Sequence, residues 1–293
     1  MLRSLFLLLL FACRVFGLQA AASSFAGSTL LVPADSLPYN LAAPSVVINL
    51  VSEDLKEISG LSPTDEPGVF CTIADEKGEI LFIDGNGGGV ILRRVLFRDK
   101  GDFEGVEKVK KCLYAVKSKG EIYEIKHWES GTPATRSFET TLSKEDDVEG
   151  LCYDARRNAL LLACKGNPDS STTRLIFAFD LRGKQLNNTP VFMVDPLAVN
   201  ERVPYGPEDK PHFFSPSGIA IHPLNGDVYV ISSALKRLVV LDYATGKIRY
   251  AVRLDKKVLP QPEGIAFDAE GNLYLSSEGK KGEGLLLRFN FIK

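Results

Sequence analysis

The chain has 293 residues, of which 45% are hydrophobic and 25% are charged, and its formal net charge is −2 at pH 7. A chain of this length and apolar content can form one large hydrophobic core or two small ones. The near-neutral charge balance, without a basic stripe, excludes nucleic acid from the expected partners.

The sequence of residues 1–22 predicts an export signal followed by the start of a tether. The apolar run from Leu5 to Ala12 is too short to span a bilayer and fits the hydrophobic segment of a secretory signal. Two processing routes stay open. The stretch LQAA (18–21) suits ordinary signal cleavage, whereas LFAC (10–13) resembles a bacterial lipoprotein signal in which Cys13 becomes the lipidated N-terminus. Both routes predict localisation in the cell envelope, as a membrane-anchored lipoprotein or as a periplasmic or secreted protein.

Residues 23–43 are rich in Ala, Ser, Leu and Pro and predict a flexible tether, so the folded domain is predicted at 44–293. Four cysteines of that domain lie within apolar runs typical of strands, namely Cys71, Cys112, Cys152 and Cys164. An exported protein permits disulfides. We nevertheless predict buried thiols, because no CxxC or CxxH spacing joins these cysteines.

A short motif recurs five times along the predicted domain. Each copy places a glycine after a serine or a glutamate and directly before an apolar strand: EISGLS (57–62), DFEGVE (102–107), DVEGLCYD (147–154), SPSGIAIHP (215–223) and QPEGIAFD (261–268). The five glycines are separated by 45, 45, 68 and 46 residues. Such a period indicates a repeat architecture in which each copy is one supersecondary unit.

The stretch after each motif predicts three further strands. In the second copy, LYAVK (113–117) and EIYEI (121–125) are followed by the more polar RSFETTL (136–142). Short strands at even spacing, with Gly, Asn and Asp in the turns, predict an all-β fold. Four strands per repeat at this period are typical of a β-propeller blade.

The fifth copy lacks its fourth strand, because the chain ends shortly after LLLRFNF (285–291). At the other end of the domain, PSVVINLVS (44–52) is a strand without a unit of its own. We predict that the two segments pair, which closes the ring and removes an exposed sheet edge. The predicted fold is a single five-bladed β-propeller of four-stranded blades, with the N-terminal strand completing the last blade.

The order of these motifs resembles that of the SdiA-regulated (YjiK-like) family of bacterial envelope proteins, which is distantly similar to NHL-repeat propellers. The resemblance rests on ISGL, FEGV, VEGL, PSGI and PEGI and covers residues 44–293. It implies a five-bladed propeller with a calcium ion in the central channel. It implies no particular reaction.

The residues before the five glycines should meet at one end of the propeller channel, because the first strand of each blade lines that channel. These residues are Ser59, Glu104, Glu149, Ser217 and Glu263. Three carboxylates held close together cannot all stay ionised without compensation, since like charges raise one another's pKa. Calcium resolves the conflict by accepting about six to eight oxygen ligands in loose geometry. We therefore predict a calcium site formed by the three glutamates, and the absence of His and Cys at these positions argues against zinc or copper.

Two structural roles compete with metal binding. In the first, the glutamates cap backbone amides of the neighbouring blade. In the second, they pair with lysines that end second strands and face the same side, Lys117 and Lys165. Asp102 and Asp147 lie two residues before their glutamates on the same strand face and are candidates for outer contacts. Glu278, at the end of the last second strand, is a further candidate.

The extra length between the third and fourth glycines lies in two stretches, KGNPDSSTTR (165–174) and PLAVNERVPYGPEDKPHFF (196–214). Both should rim the same end of the channel, because the connections between blades open on that side. Long inserts in compact domains are often functional lids, although a passive loop fits the sequence equally well. The residues most suited to touch a ligand there are Tyr205, His212, Phe213 and Phe214.

Three functional classes fit these features. The one we favour is a binding module: an exported, membrane-anchored, monomeric propeller with calcium in its channel that binds a small molecule, a glycan or a protein. The second is a calcium-dependent hydrolase of esters, lactones or phosphate esters, in which the metal polarises the scissile group. The absence of a GxSxG sequence and the positions of His127 and His222 after strands favour the binding module over the hydrolase. A purely structural propeller is the third class, and the fold by itself does not decide among them.

Overall fold

The computed structural model describes residues 37–169, 171–207, 209, 212–279 and 282–293. Over these residues the chain forms twenty strands, one short α-helix and two 3-10 helices. No helix in these ranges is long and apolar enough to cross a membrane. The predicted signal segment with Cys13, and residues 23–36 of the predicted tether, lie outside the described residues.

The described chain begins with β1 (Val46–Leu50) and then forms four blades of consecutive strands. The first blade contains β2 (Ile58–Pro63), β3 (Val69–Ala74), β4 (Lys77–Asp84) and β5 (Ile91–Arg98). The second contains β6 (Phe103–Val109), β7 (Cys112–Lys117), β8 (Ile122–Lys126) and β9 (Ala134–Phe138). The third contains β10 (Val148–Asp154), β11 (Ala159–Cys164), β12 (Arg174–Asp180) and β13 (Gln185–Val194). The fourth contains β14 (Gly218–Ile221), β15 (Val228–Ser232), β16 (Arg237–Leu241) and β17 (Ile248–Arg253).

The fifth blade combines the two ends of the domain. It contains β18 (Pro262–Phe267), β19 (Leu273–Ser277) and β20 (Gly284–Phe289), with β1 antiparallel to β20 as its outermost strand. The register of that pair runs from Val46 opposite Arg288 to Leu50 opposite Gly284. This arrangement confirms the predicted ring closure.

The first strand of each blade lies on the inner ring around the channel. β2 contacts β6, β6 contacts β10, β10 contacts β14, β14 contacts β18, and β18 contacts β2 again. Five clusters of buried apolar side chains fill the interfaces between successive blades, so each blade covers the apolar face of its neighbour. The predicted five-bladed β-propeller is confirmed.

The last residues of the predicted tether, 37–43, contact the propeller through Tyr39 and the partly buried Leu37 and Leu41. Tyr39 is 5% exposed and lies against the rings of Phe267 and Phe291. Its hydroxyl donates a hydrogen bond of 2.6 Å to the carbonyl of Gly271. The Tyr39 side chain thus covers part of the apolar cluster between the fourth and fifth blades, so the packed chain begins before residue 44.

The long insert, residues 196–214, contains α1 (Pro196–Arg202), which the sequence did not predict. The Asp195 side chain accepts a hydrogen bond of 2.9 Å from the Leu197 N–H and caps the helix. Pro196 occupies the first turn, where a backbone N–H is not needed. A helix of seven residues is too short to show helical periodicity in the sequence.

The cysteine prediction is confirmed at three of four positions. Cys71, Cys152 and Cys164 are free and buried, whereas Cys112 is free and only partly buried. Cys112 begins β7 beside a turn, and its side chain is nearer to solvent than the other three thiols.

Candidate cation site at the channel mouth

Three of the five inner strands place a glutamate at the same structural position. Glu104, Glu149 and Glu263 are each the second residue of their strand, and the pairing with the next strand shifts register across each of them. Each glutamate is thus the extra residue of a β-bulge, a feature that redirects a side chain out of the regular ladder. The fold therefore brings the three predicted glutamates to the end of the channel at which the inner strands begin, which we call the mouth.

The three glutamates act on one another electrostatically. Burial raises the pKa of Glu104 to about 9, and the charges of Glu149 and of nearby aspartates add to the shift. Burial raises the pKa of Glu263 to about 8, with contributions from Glu149 and Glu278. Burial also raises the pKa of Glu149, whose side chain is 13% exposed. The mouth thus concentrates carboxyl groups whose ionisation is disfavoured.

One of the two predicted lysine partners lies among these carboxyl groups. Lys165 Nζ is 2.7 Å from Glu149 Oε1 and 3.9 Å from Asp147 Oδ2. Lys117 faces elsewhere: its Nζ lies 3.5 Å from Glu121 Oε2 and 5.2 Å from the centroids of two aromatic rings. The lysine-pairing alternative therefore describes Glu149 and Lys165 in this structure, but it does not describe Lys117.

Asp75 is an acidic residue of the mouth that the sequence motif did not predict. It directly follows β3, as Lys165 follows β11 and Glu278 follows β19, and its charge helps to raise the pKa of Glu104. Its Oδ1 atom is buried without a hydrogen-bond partner among the described residues. Its position at the end of a second strand, shared with Lys117, Lys165 and Glu278, was the signal in the sequence that could have indicated it.

The donor chemistry of the mouth fits a hard cation such as calcium. Carboxylate oxygens of Glu104, Glu149, Glu263 and Asp75 are the ligand type that calcium prefers, and the unpartnered Asp75 oxygen lacks the compensation that a buried polar atom normally has. In the arrangement observed, no three His, Cys, Asp or Glu side chains of the described chain form a closed metal-binding group. Instead, the Lys165 ammonium group forms an ion pair with Glu149. A cation that binds Glu149 would have to replace that ammonium group.

The two serines predicted to complete the ring are buried and differ in their hydrogen bonds. The Ser217 hydroxyl donates a hydrogen bond of 2.7 Å to the Pro262 carbonyl and accepts one of 3.1 Å from the Ser233 N–H. It therefore joins the fourth blade to the fifth. Ser59 is 7% exposed, and its carbonyl accepts a hydrogen bond of 3.2 Å from the Thr72 hydroxyl.

The outer candidates lie around this ring. Asp102 is exposed and accepts a hydrogen bond from the Ser118 hydroxyl. Asp147 has a positive φ of 51°, and burial raises its pKa. Glu278 accepts a hydrogen bond from the Gln261 side chain. Asp147 thus adds negative charge beside Glu149, and Glu278 adds it beside Glu263.

The four predicted contact residues of the long insert differ in their exposure to solvent. Phe214 is fully buried in the cluster between the third and fourth blades, so it is a core residue, which corrects its prediction as a ligand contact. His212 is exposed, its carbonyl accepts a hydrogen bond of 2.5 Å from the Tyr205 hydroxyl, and Phe213 beside it is 42% exposed. The alternation of exposed and buried side chains along this segment was not readable from an irregular loop sequence.

A cavity of about 330 Å³ opens at the mouth. Its lining includes Lys165, Ser215, Ser217, Ser233, Lys236 and Glu263. Hydroxyl groups, ammonium groups and a carboxyl group therefore face one space, which has the size of a small-molecule site.

One further acidic residue, Glu107, lies deeper in the channel than the glutamates of the mouth. Glu107, three residues after Glu104 in β6, borders a cavity of about 140 Å³ whose other walls include Leu61, Cys152 and Ile265. Burial raises the pKa of Glu107 to about 8, opposed by hydrogen bonding to Ser62. The sequence pattern did not indicate Glu107, because this residue does not lie directly before the glycine of the motif.

These features define a five-bladed β-propeller with an acidic channel mouth. The chain belongs to the SdiA-regulated family, whose profile matches residues 39–281. The glutaminyl cyclase of Myxococcus xanthus is similar in structure, with a TM-score of 0.58, 13% sequence identity and coverage of 85% of this chain and 95% of that chain. A chain of the nidogen/laminin complex has a TM-score of 0.50, 18% identity and coverage of 78% and 74%. At these identities the likeness shows the fold alone, and comparison with curated proteins gives no significant match.

Proposed function

We propose that this protein is a calcium-binding propeller that binds a ligand at the channel mouth. The observation that carries the proposal is the convergence of Glu104, Glu149 and Glu263 on bulges of three inner strands, where burial and neighbouring negative charges raise their pKa. The unpartnered Asp75 oxygen supports it. A bound divalent cation would offset this excess of negative charge. The cavity beside Glu263 supports ligand binding at the same place.

Neither His222 nor His212 favours the hydrolase alternative. His222 is fully buried among aromatic rings, and burial lowers its pKa to about 4. His212 is exposed on the insert, and its Nδ1 lies 2.8 Å from the adjacent Phe213 carbonyl. The binding module is therefore the function that we propose.

Calcium is expected to raise the melting temperature in a concentration-dependent way. A ligand that binds only the folded state stabilises it by about 2.7 kcal/mol at 100 times its Kd. Glu263→Gln keeps the shape of the side chain and removes its charge, so calcium affinity should fall by about tenfold or more. Glu104→Gln should behave alike. Titration calorimetry and thermal unfolding check both effects, with the exposed Glu270→Gln as the matched control.

The pH dependence of the metal-free protein gives an independent check. A carboxyl group with a raised pKa stays protonated in the folded state while the unfolded chain has lost its proton, so stability should fall as the pH rises from about 4.5 to about 9. Calcium should reduce this loss because it favours the ionised carboxylates. The metal site would be contradicted if neither calcium nor a chelator changed the stability and Glu263→Gln destabilised the protein. That result would identify the glutamates as backbone caps.

We further propose that the protein is exported and anchored to a membrane through Cys13, on the basis of LFAC (10–13). Cys13→Ser should move the full chain from the membrane fraction to the soluble fraction. Ser23→Ala, outside the lipoprotein signal, serves as the control. A wild-type protein found in the soluble fraction with an N-terminus near Ala21 would instead show ordinary signal cleavage.

A further inference from the structure

The channel contains a cavity at the end opposite to the mouth, where the inner strands finish. It is the cavity of about 140 Å³ that Glu107 borders. Pro63, the last residue of β2, and Pro223, two residues after β14, also line it, and both are exposed. The cavity therefore opens to solvent on the side away from the mouth. We call it the far cavity.

The walls of the far cavity are mainly apolar. They include Leu61, Ile219, Ile265 and Phe267, which belong to the inner strands of the first, fourth and fifth blades. A cavity of about 150 Å³ with apolar walls accepts a molecule of the size of benzene, so the far cavity has room for an organic group of about four to six heavy atoms.

The carboxyl group of Glu107 links three inner strands beside this cavity. Glu107 lies in β6, is hydrogen-bonded to the Ser62 side chain in β2, and accepts a hydrogen bond from the Tyr153 N–H in β10. Both bonds favour the charged form, but burial outweighs them and raises the pKa of Glu107 to about 8. The fold thus holds the carboxyl group in a fixed place where its negative charge is poorly compensated.

The adjacent lysine does not supply the missing positive charge. Lys108 favours the charged form of Glu107 less than the two hydrogen bonds do. Its Nζ atom lies 2.5 Å from Asp65 Oδ2 and donates a hydrogen bond of 2.9 Å to the Lys110 carbonyl. The Asp65 side chain is 89% exposed, and neither Lys108 nor Asp65 lines the far cavity. The Lys108 ammonium group is therefore paired outside this space.

A cation with an apolar body matches this arrangement better than a metal ion does. Calcium takes about six to eight oxygen ligands, whereas the described lining of the far cavity offers one carboxyl group, that of Glu107. A primary ammonium group has three N–H donors and forms charge-assisted hydrogen bonds with a carboxylate. It would supply the positive charge that Glu107 lacks, and the apolar walls would remove its alkyl group from water.

We propose that the far cavity binds a small organic ammonium ion, with the ammonium group on Glu107 and the apolar body against Ile219, Ile265 and Phe267. This site lies at the opposite end of the channel from the proposed calcium site and uses none of the mouth glutamates. The proposal therefore goes beyond ligand binding at the mouth and is tested independently of it.

Titration calorimetry with butylammonium and with the neutral butanol, both in excess chelator, tests the proposal. Butylammonium should bind saturably at one site. Butanol has the same length but cannot form an ion pair, so it should bind about tenfold more weakly or less. Glu107→Gln keeps the size of the side chain and removes its charge, and it should lower the affinity for butylammonium by about tenfold or more. Thermal unfolding verifies that this variant is folded.

The pH dependence of the wild-type protein provides a second test that needs no variant. Binding requires ionised Glu107, so the affinity for butylammonium should rise by about tenfold or more between pH 6 and pH 8, while the amine keeps its proton. Cys71 and Cys152, whose thiols interact electrostatically with Glu107, stay uncharged in this range because burial raises their pKa. In Glu107→Gln the rise should be lost.

Glu263→Gln locates the binding site, because the carboxyl groups of the mouth also attract cations. Its affinity for butylammonium should stay within about twofold of the wild-type value at physiological salt, which screens charges more than about 8 Å apart. The proposal would be overturned if Glu263→Gln, rather than Glu107→Gln, abolished binding. It would equally be overturned if butanol bound as tightly as butylammonium, or if the wild-type affinity did not change with pH.

Discussion

Replacement of Leu50 by alanine is expected to lower the free energy of unfolding by about 2–5 kcal/mol, the range for large-to-small changes at fully buried sites. Leu50 is fully buried in the cluster between the fifth and first blades, and it lies on the strand that completes the ring. Its loss leaves a cavity at the point where the two ends of the domain meet. Denaturant unfolding measures the effect.

Val47→Ala is the matched control, because Val47 lies on the same strand and is 56% exposed. We expect its effect to stay within about 0.5 kcal/mol. Deletion of residues 44–52 is the stronger version of the experiment, since it leaves β20 as an open sheet edge that invites association between chains. Unchanged stability and monomeric elution after this deletion would contradict a structural role for the closing strand.

Replacement of Gly264 by alanine is expected to destabilise the protein by about 1–3 kcal/mol through overpacking. A Cβ atom at this position would lie 2.8 Å from Leu61 Cβ and 3.0 Å from the Gly60 carbonyl carbon, both on the neighbouring inner strand. Backbone and Cβ atoms cannot move aside as the end of a flexible side chain can. The glycine therefore permits the close approach of β18 and β2 that closes the inner ring.

Gly282→Ala provides the comparison, because the nearest atom to its added Cβ is 3.8 Å away. That change should be neutral within about 0.5 kcal/mol or slightly stabilising. Thermal and denaturant unfolding of both variants measure the difference. Equal stability of the two variants would show that the inner strands can separate at no cost and that the glycine has another role.

The repeat pattern was sufficient to predict the fold, because a propeller blade is a local unit. Its four strands are consecutive in the sequence, and their turns and alternation are visible within about 45 residues. The closing strand followed from counting strands at the two ends of the domain. The same pattern brought Glu104, Glu149 and Glu263 together, since residues at equivalent positions of successive blades share one end of the channel.

Contacts between blades were not contained in that pattern. The pairing of Lys165 with Glu149, the unpartnered oxygen of Asp75 and the depth of Glu107 in the channel depend on the radius of the ring and on the bulges in the inner strands. The packing of residues 37–43 and the burial of Phe214 depend on which apolar clusters remain uncovered at the blade interfaces.

The sequence by itself therefore determined the blade, the number of blades and the position of the acidic motif, because each follows from residues near one another in the chain. Only the tertiary structure decided the charge balance of the mouth and the pairing of Asp209 with two arginines. Asp209, Arg237 and Arg253 meet across 28 and 44 residues of sequence, and electrostatic interactions act through distance and burial in space rather than through sequence separation.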